Sequence, residues 1–230
     1  MSIKIGTVNV DRVYAGSTPV EFVAVGATKI WEAPPLTYGG GGPGSTATAV
    51  PPAYDFTAPL NSDIFATVTT DRNATVSGVT AGGAAMTLIA TVNHNNDATK
   101  GTTRVYRLAK GGDGTAKSIK ATGSGTAWWI VNAFAIANVA VVGTPAYTYG
   151  NGTAPSQTVT GRGVWIVSTG NNGTIVGAFS GFTGVTNRQN LASGQGSSQA
   201  INTVDTAGTA AATLSTSGPW GAVFIPLGTQ

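Results

Sequence analysis

The sequence predicts an all-β protein, a small N-terminal β-meander followed by a jelly-roll-like antiparallel β-sandwich. Three observations carry this prediction. Val, Ile, Thr, Ala and 33 Gly dominate the 230 residues. Ala alternates with Thr and Val instead of recurring at helical spacing, so no long segment has the period of an amphipathic helix. Short apolar stretches recur every 10 to 15 residues from Tyr54 onward, separated by Gly-rich and Asn-rich turns.

The first 32 residues hold a repeat of period ten, in which residues 3–10, 13–20 and 23–30 align. Each copy is an alternating apolar stretch, a turn centred on Gly6, Gly16 or Gly26, and a further apolar position. The predicted product is a meander of three to six short strands. A sheet that small buries little surface by itself, so it should dock on another chain or on a copy of itself. Its apolar positions Val13, Tyr14, Val20, Val23, Val25, Ile30 and Trp31 are the candidate assembly interface. Residues 33–52 read as a linker, because Pro pairs bracket four consecutive Gly, giving stiff ends and a flexible middle; an ordered loop is the alternative.

Residues 53–230 form the expected sandwich. Its strands are predicted near 65–70, 74–79, 86–92, 103–108, 117–121, 127–139, 157–159, 163–168, 174–178, 200–204 and 220–227. Residues 127–139, 163–168 and 220–227 are apolar at both odd and even positions. They should be central strands buried on both faces, or covered by a partner.

Charged residues make up only 9% of the chain against an apolar fraction of 41%, so Thr, Ser, Asn and Gly carry the surface. Such a surface suits a domain covered by neighbours, or one that is secreted or carried on a particle. The formal charge of +3 is scattered apart from Arg104, Arg107, Lys110, Lys117 and Lys120, which read as a solvated sheet face; no nucleic-acid partner is expected. Cysteine is absent, which excludes disulfides and thiol chemistry. Residues 1–6 do not read as a signal peptide, and no apolar run reaches the roughly 20 residues of a membrane-spanning helix, so no membrane insertion is expected.

Catalysis finds little material. The only glutamates, Glu21 and Glu32, lie in the meander, and the sandwich carries Asp55, Asp63, Asp71, Asp97, Asp113 and Asp205, mostly beside turns. No carboxylate pair has a local hydrolase signature. His94, the one histidine, sits in Asn93-His94-Asn95-Asn96-Asp97 and reads as a solvated turn residue; a calcium loop is conceivable but lacks dense acidic spacing. Gly170-Asn171-Asn172-Gly173 reads as a hairpin turn. The expectation is a non-enzyme with no catalytic residues, metal or cofactor. The aromatics are the candidate ligand-binding residues. Trp128 and Trp129 are adjacent on a strand and must face opposite sides, one into the core. Tyr147 and Tyr149 share one face in a Pro- and Gly-flanked loop, and such pairs stack on sugars or anchor interfaces.

The repeat Val13-Tyr-Ala-Gly-Ser-Thr-Pro-Val20 with Val23-Ala-Val-Gly-Ala-Thr-Lys-Ile-Trp31 resembles the N-terminal "VYVGSTxVxxVYVGxTKVW" segment of minor tail proteins of tailed bacteriophages, especially those of actinobacteria. Ala74–Thr87 is similar to the "VSSVTVGGVAMT" strand pair of sandwiches in such proteins and in bacterial surface proteins. Residues 103–109 with 112–119 are similar to "VSLYRLAxPxGTGTVTVT", and Trp220–Pro226 to the closing "WAAVAVxLxP". Lys110-Gly-Gly stands where Pro-Pro-Ala is usual. The resemblance covers most of the chain and carries over no catalytic residue. It implies a structural virion component, assembled in the host cytoplasm and exposed after lysis. Its partners would be other tail or virion proteins, copies of itself in a homo-oligomer, and a host cell-surface glycan. The alternative is a capsid decoration protein.

Overall fold

The computed structural model describes residues 34–171 and 173–229, together with the backbone of six short strands within the first 32 residues. Those six pair as three antiparallel hairpins: β1 (Ile3–Ile5) with β2 (Val8–Val10), β3 (Tyr14–Ala15) with β4 (Thr18–Pro19), and β5 (Phe22–Val25) with β6 (Thr28–Glu32). The decade repeat is thus one hairpin per copy. Tyr14, Val23, Val25, Ile30 and Trp31 lie in these strands, with side chains outside the described residues; Val13 and Val20 lie outside them altogether.

The rest of the chain is all-β and antiparallel, as expected, but it folds as two jelly rolls in tandem, where the sequence predicted one sandwich over 53–230. The first comprises β7 (Thr37–Gly41), β8 (Ser45–Ala47), β9 (Tyr54–Thr57), β10 (Asp63–Thr70), β11 (Thr75–Ala81), β12 (Ala84–Ala85), β13 (Thr87–Asn93), β14 (Thr102–Leu108), β15 (Ala116–Ser124) and β16 (Trp129–Ala137). The second comprises β17 (Val139–Val142), β18 (Ala146–Gly152), β19 (Ser156–Val159), β20 (Gly163–Gly170), β21 (Ser180–Thr183), β22 (Thr186–Ala192), β23 (Ser197–Val204), β24 (Gly208–Thr213) and β25 (Gly218–Thr229).

The two topologies coincide. The large sheets run β13-β14-β10-β16-β7 and β22-β23-β20-β25-β17, with β8 joining β16 and β18 joining β25; the small sheets run β12-β11-β15-β9 and β21-β24-β19. In each, the first strand lies beside the last, and β10 lies between β16 and β14 as β20 lies between β25 and β23, the connectivity of a jelly roll. The registers agree as well. Thr70 at the end of β10 faces Trp129 on β16, and Thr169 at the end of β20 faces Trp220 on β25. Both tryptophans are buried inside their own roll.

Four layers result, small sheet, large sheet, large sheet, small sheet. Alternation along β10 explains them. Ile64, Ala66 and Val68 enter the first roll with Tyr106, Ile119 and Trp129. Phe65 faces the other way, into a layer shared by the two rolls with Phe134, Ile136, Val164, Ile166, Val223 and Ile225. Trp165 and Val167 in turn point into the second roll with Phe179, Ala210 and Phe224. The segments apolar at both parities are therefore central strands buried on both faces, and the partner that covers each is the other roll. Residues 174–178, expected as a strand, are instead a loop before β21.

The segment read as a linker is also corrected. Within 33–52, β7 and β8 pair with β16. Its glycines are packing positions: a Cβ on Gly41 would collide with Gln189, on Gly42 with the Tyr54 ring, and on Gly44 with Leu191. Gln189 instead donates its amide to the Gly42 carbonyl at 2.8 Å and to Asn132 Oδ1 at 3.0 Å, tying the segment to the second roll. The Arg188 guanidinium lies 5.0 Å from the Tyr38 ring centroid on the same boundary. Bare backbone beside large side chains has the composition of a flexible linker, yet here it is what lets an edge strand approach.

Because the layer between the rolls holds an apolar cluster of its own, continuous across both large sheets, the two should melt together. Phe134→Ala removes a ring stacked on Phe65 at 5.2 Å and is expected to cost about 3–5 kcal/mol. Calorimetry should show one transition at a lowered Tm for this variant; two separated transitions would contradict the shared core.

Candidate functional site

The shared layer is not wholly apolar. Toward the end of β10 and β20 it carries a chain of buried polar groups. Thr67 Oγ1 donates to Gln199 Oε1 at 2.7 Å, and Gln199 Nε2 donates to Thr69 Oγ1 at 2.6 Å. Thr69 and Thr103 hydroxyls are 2.7 Å apart, and Thr103 donates to Ser168 Oγ at 2.6 Å. Since the Thr103 proton is committed to Ser168, Thr69 must be the donor to Thr103. Ser168 Oγ is 3.0 Å from His94 Nε2, and His94 Nδ1 is 3.0 Å from the Lys100 carbonyl. A carbonyl can only accept, so Nδ1 carries the proton and Nε2 accepts from Ser168, whose hydroxyl is shared with the Gly221 carbonyl at 3.2 Å. Every bond in the row points the same way, an arrangement in which neighbouring bonds polarise one another.

His94 is therefore no solvated turn residue: it is fully buried, in a 3-10 turn, His94–Asn96. Burial, opposed by the Lys100 carbonyl and the nearby Asp71 charge, lowers its pKa from 6.5 to about 4. Its ring fixes the turn that follows. Asn95 and Asn96 both adopt left-handed backbone, with φ of 51° and 57°, a conformation Asn tolerates better than most residues. The His94 amide donates to the Gly101 carbonyl at 3.0 Å and closes the loop.

Beside this turn Asp71 is buried without exposure. It accepts from the backbone of Trp128 and of Gly173, both at 2.7 Å, and from Arg72 Nη2 at 3.0 Å. One carboxylate of the first roll thereby holds a loop of the second. At the other end of β10, Asp63 is buried against Arg107 Nε at 2.6 Å and the Lys110 amide at 2.8 Å. Asp97 and Asp113 cap turns. Hydrogen bonds from Thr99 hold Asp97 below the usual carboxylate range, and Lys117 with Thr115 holds Asp113 below it. Among the described residues no group of three or more His, Cys, Asp or Glu is placed to hold a metal ion.

The expected aromatic site divides. Trp129 has no exposed surface and fills the first roll, so it has nothing to offer a ligand. Trp128 is half-buried ahead of β16, its carbonyl accepting from Ser197 Oγ at 3.1 Å across the boundary between the rolls. Tyr147 and Tyr149 lie on strand β18 rather than in a loop, and remain 46% and 48% exposed. They do share a face, as expected, and Asn151 continues it. Asn151 opens onto a depression of about 310 Å³ lined also by Asn95, Lys100, Asn171, Ser217, Gly218 and Pro219. Asn95 comes from the first roll and the others on this rim from the second, apart from Lys100. No local motif marks this site, because it joins residues 95, 151, 171 and 217; the Asn-rich turns were the only trace of it.

The fold and this rim define a class, a tandem jelly-roll protein with an amide-lined depression where the rolls meet. Comparison of the chain with models of protein families, with curated proteins and with solved structures returns no match.

The pKa of His94 sets a pH response. The unfolded chain takes up the proton near pH 6.5 and the folded chain only near 4, so the contribution is complete above 6.5 and is lost as pH falls from 6.5 to about 4. Denaturant titrations across that window should show stability falling by up to about 3 kcal/mol. His94→Gln should flatten this part of the profile; an unchanged profile would contradict the buried neutral imidazole.

Proposed function

We propose that the chain is a non-enzymatic structural component of a tailed-bacteriophage particle, associated with the tail, whose tandem jelly-roll body contacts the host surface. The supporting observation is the decade repeat of residues 3–30, with its resemblance to the N-terminal segment of minor tail proteins. Each copy pairs as a hairpin of two to five residues per strand. Isolated two-stranded hairpins are marginal in water, and short unpaired edges invite pairing with another chain. This segment is the natural attachment element, with Val13, Tyr14, Val20, Val23, Val25, Ile30 and Trp31 as its apolar contacts and other virion proteins or further copies of the chain as its partners.

The body fits a structural role in its own way. Asp63 and Asp71, its two buried carboxylates, are spent on ion pairs and backbone amides that hold strands and loops together. Of its other carboxylates, Asp97 and Asp113 cap turns, and Asp55 and Asp205 are exposed.

Immunogold labelling of purified particles with antibody to the jelly rolls should mark the tail. Label on the head would make the chain a capsid decoration protein, and unlabelled particles would remove it from the virion. Deletion of residues 1–32 should leave a soluble body that is missing from the particles, read by immunoblot of purified virions.

A further inference from the structure

We propose that the depression at the junction of the two jelly rolls binds a saccharide, held by the amides of Asn95, Asn151 and Asn171 and flanked by the rings of Tyr147 and Tyr149. This rests on the host-contact part of the function above and gives it a place and a chemistry.

The lining chooses the ligand. Each Asn side chain presents a donor and an acceptor a short distance apart, the pair that two neighbouring sugar hydroxyls match, and the Ser217 hydroxyl adds either function. No carboxylate lines the depression, so it does not suit a cation, and Lys100 is its one charged residue. A neutral or weakly acidic polyhydroxyl compound fits such a surface. A volume of about 310 Å³ is at the small end of ligand sites, roughly 300–1,000 Å³, and suits a few sugar rings at most.

The rings supply what amides lack. Tyr149 stands two residues before Asn151 on the same face of β18, and Tyr147 two residues before that, a spacing of about 7 Å for each pair of residues. Both rings are about half exposed. An exposed aromatic with a hydroxyl at its tip can stack on the apolar face of a sugar and hydrogen-bond at the rim.

The rim is also held in place before any ligand arrives. Asn95 is left-handed, and its turn is anchored by the buried His94 ring through Ser168 and Lys100. On the opposite side Asn151 pairs with Pro219 in the β18–β25 ladder. A pre-set rim loses less entropy on binding, which matters for a weak ligand. His94 is thus a positioning residue for Asn95.

Saturation-transfer NMR on the full chain, with a panel of glucose, galactose, mannose, arabinose, N-acetylglucosamine and their disaccharides at about 10 mM, detects affinities of the expected millimolar range. At least one member should bind. Asn95→Gly keeps the left-handed backbone and removes only the amide; it, Asn151→Thr and Tyr149→Ala should each weaken binding about tenfold or more. Leu60→Ala, an exposed apolar residue outside the depression, should leave binding unchanged. A saccharide that binds all three rim variants as tightly as the parent overturns the site and leaves adhesion elsewhere on the body. A panel with no binder overturns the site and host adhesion together, while labelling of particles judges the structural role separately.

Discussion

Two large sheets packed back to back impose the main constraint on this molecule. An isolated jelly roll has a solvated outer face on each of its two sheets. Here the outer faces of both large sheets are turned on each other, so β10, β20 and β23 are buried throughout, as are most of β16 and β25. Both parities of these strands are then mostly apolar, and the one charge they carry is Asp63, at the start of β10 and paired with Arg107 on β14. A charged fraction of 9% follows in part from this geometry, since a large share of the strand surface has no place for an unpaired charge.

The row of polar groups that crosses the shared layer is hydrogen-bonded from end to end. Thr67, Gln199, Thr69, Thr103, Ser168 and His94 hand protons along one direction and end on a main-chain carbonyl. An apolar layer alone would allow one sheet to slide over the other with little penalty. A row of hydrogen bonds with members from both rolls favours one alignment, because sliding the sheets would part its donors from its acceptors and leave them buried and unpaired. The same row fixes the His94 ring, which closes the turn that carries Asn95. The interior of the molecule thus reaches its rim through a single imidazole.

Much of the architecture was legible in the sequence and the duplication was not. Alternation and Gly-rich turns located β10, β11, β13 to β16, β20, β23 and β25, and the run of apolar residues at both parities identified the double burial. Both rolls have Val-Thr-Thr or Val-Ser-Thr near the end of β10 or β20 and Trp near the start of β16 or β25, at Val68–Thr70 with Trp129 and at Val167–Thr169 with Trp220. The signal between these marks is erased because volume has been exchanged across the core: Ala66 and Ala133 stand in the first roll on the strands where the second has Trp165 and Phe224. Packing conserves total volume rather than the residue at each position. Strands β7, β8 and β18 were missed for another reason. The Tyr-Gly runs of β7 and β18, and the place of β8 just after Gly44 in the Pro- and Gly-rich stretch, read as loop, and their pairing is set by the neighbour they approach rather than by their own propensity.

The depression where the rolls meet follows from how closely they meet. At this end three glycines stand where a side chain would collide, Gly101 within the first roll, and Gly170 and Gly196 between the rolls. A Cβ on Gly101 would collide with the Thr70 carbonyl, on Gly170 with the backbone of Asp71 and Lys100, and on Gly196 with the Asp71 carboxylate. Gly101 also needs φ of +102°, which other residues resist. Asp71 then bridges the contact by accepting from Gly173 across the boundary. Close approach, a buried carboxylate and a buried imidazole together leave the turn residues at the surface little freedom. Their side chains are the neutral amides that the rest of the composition favours. A site built in this way needs no sequence motif, since each roll contributes only part of it and the packing of the two rolls completes it.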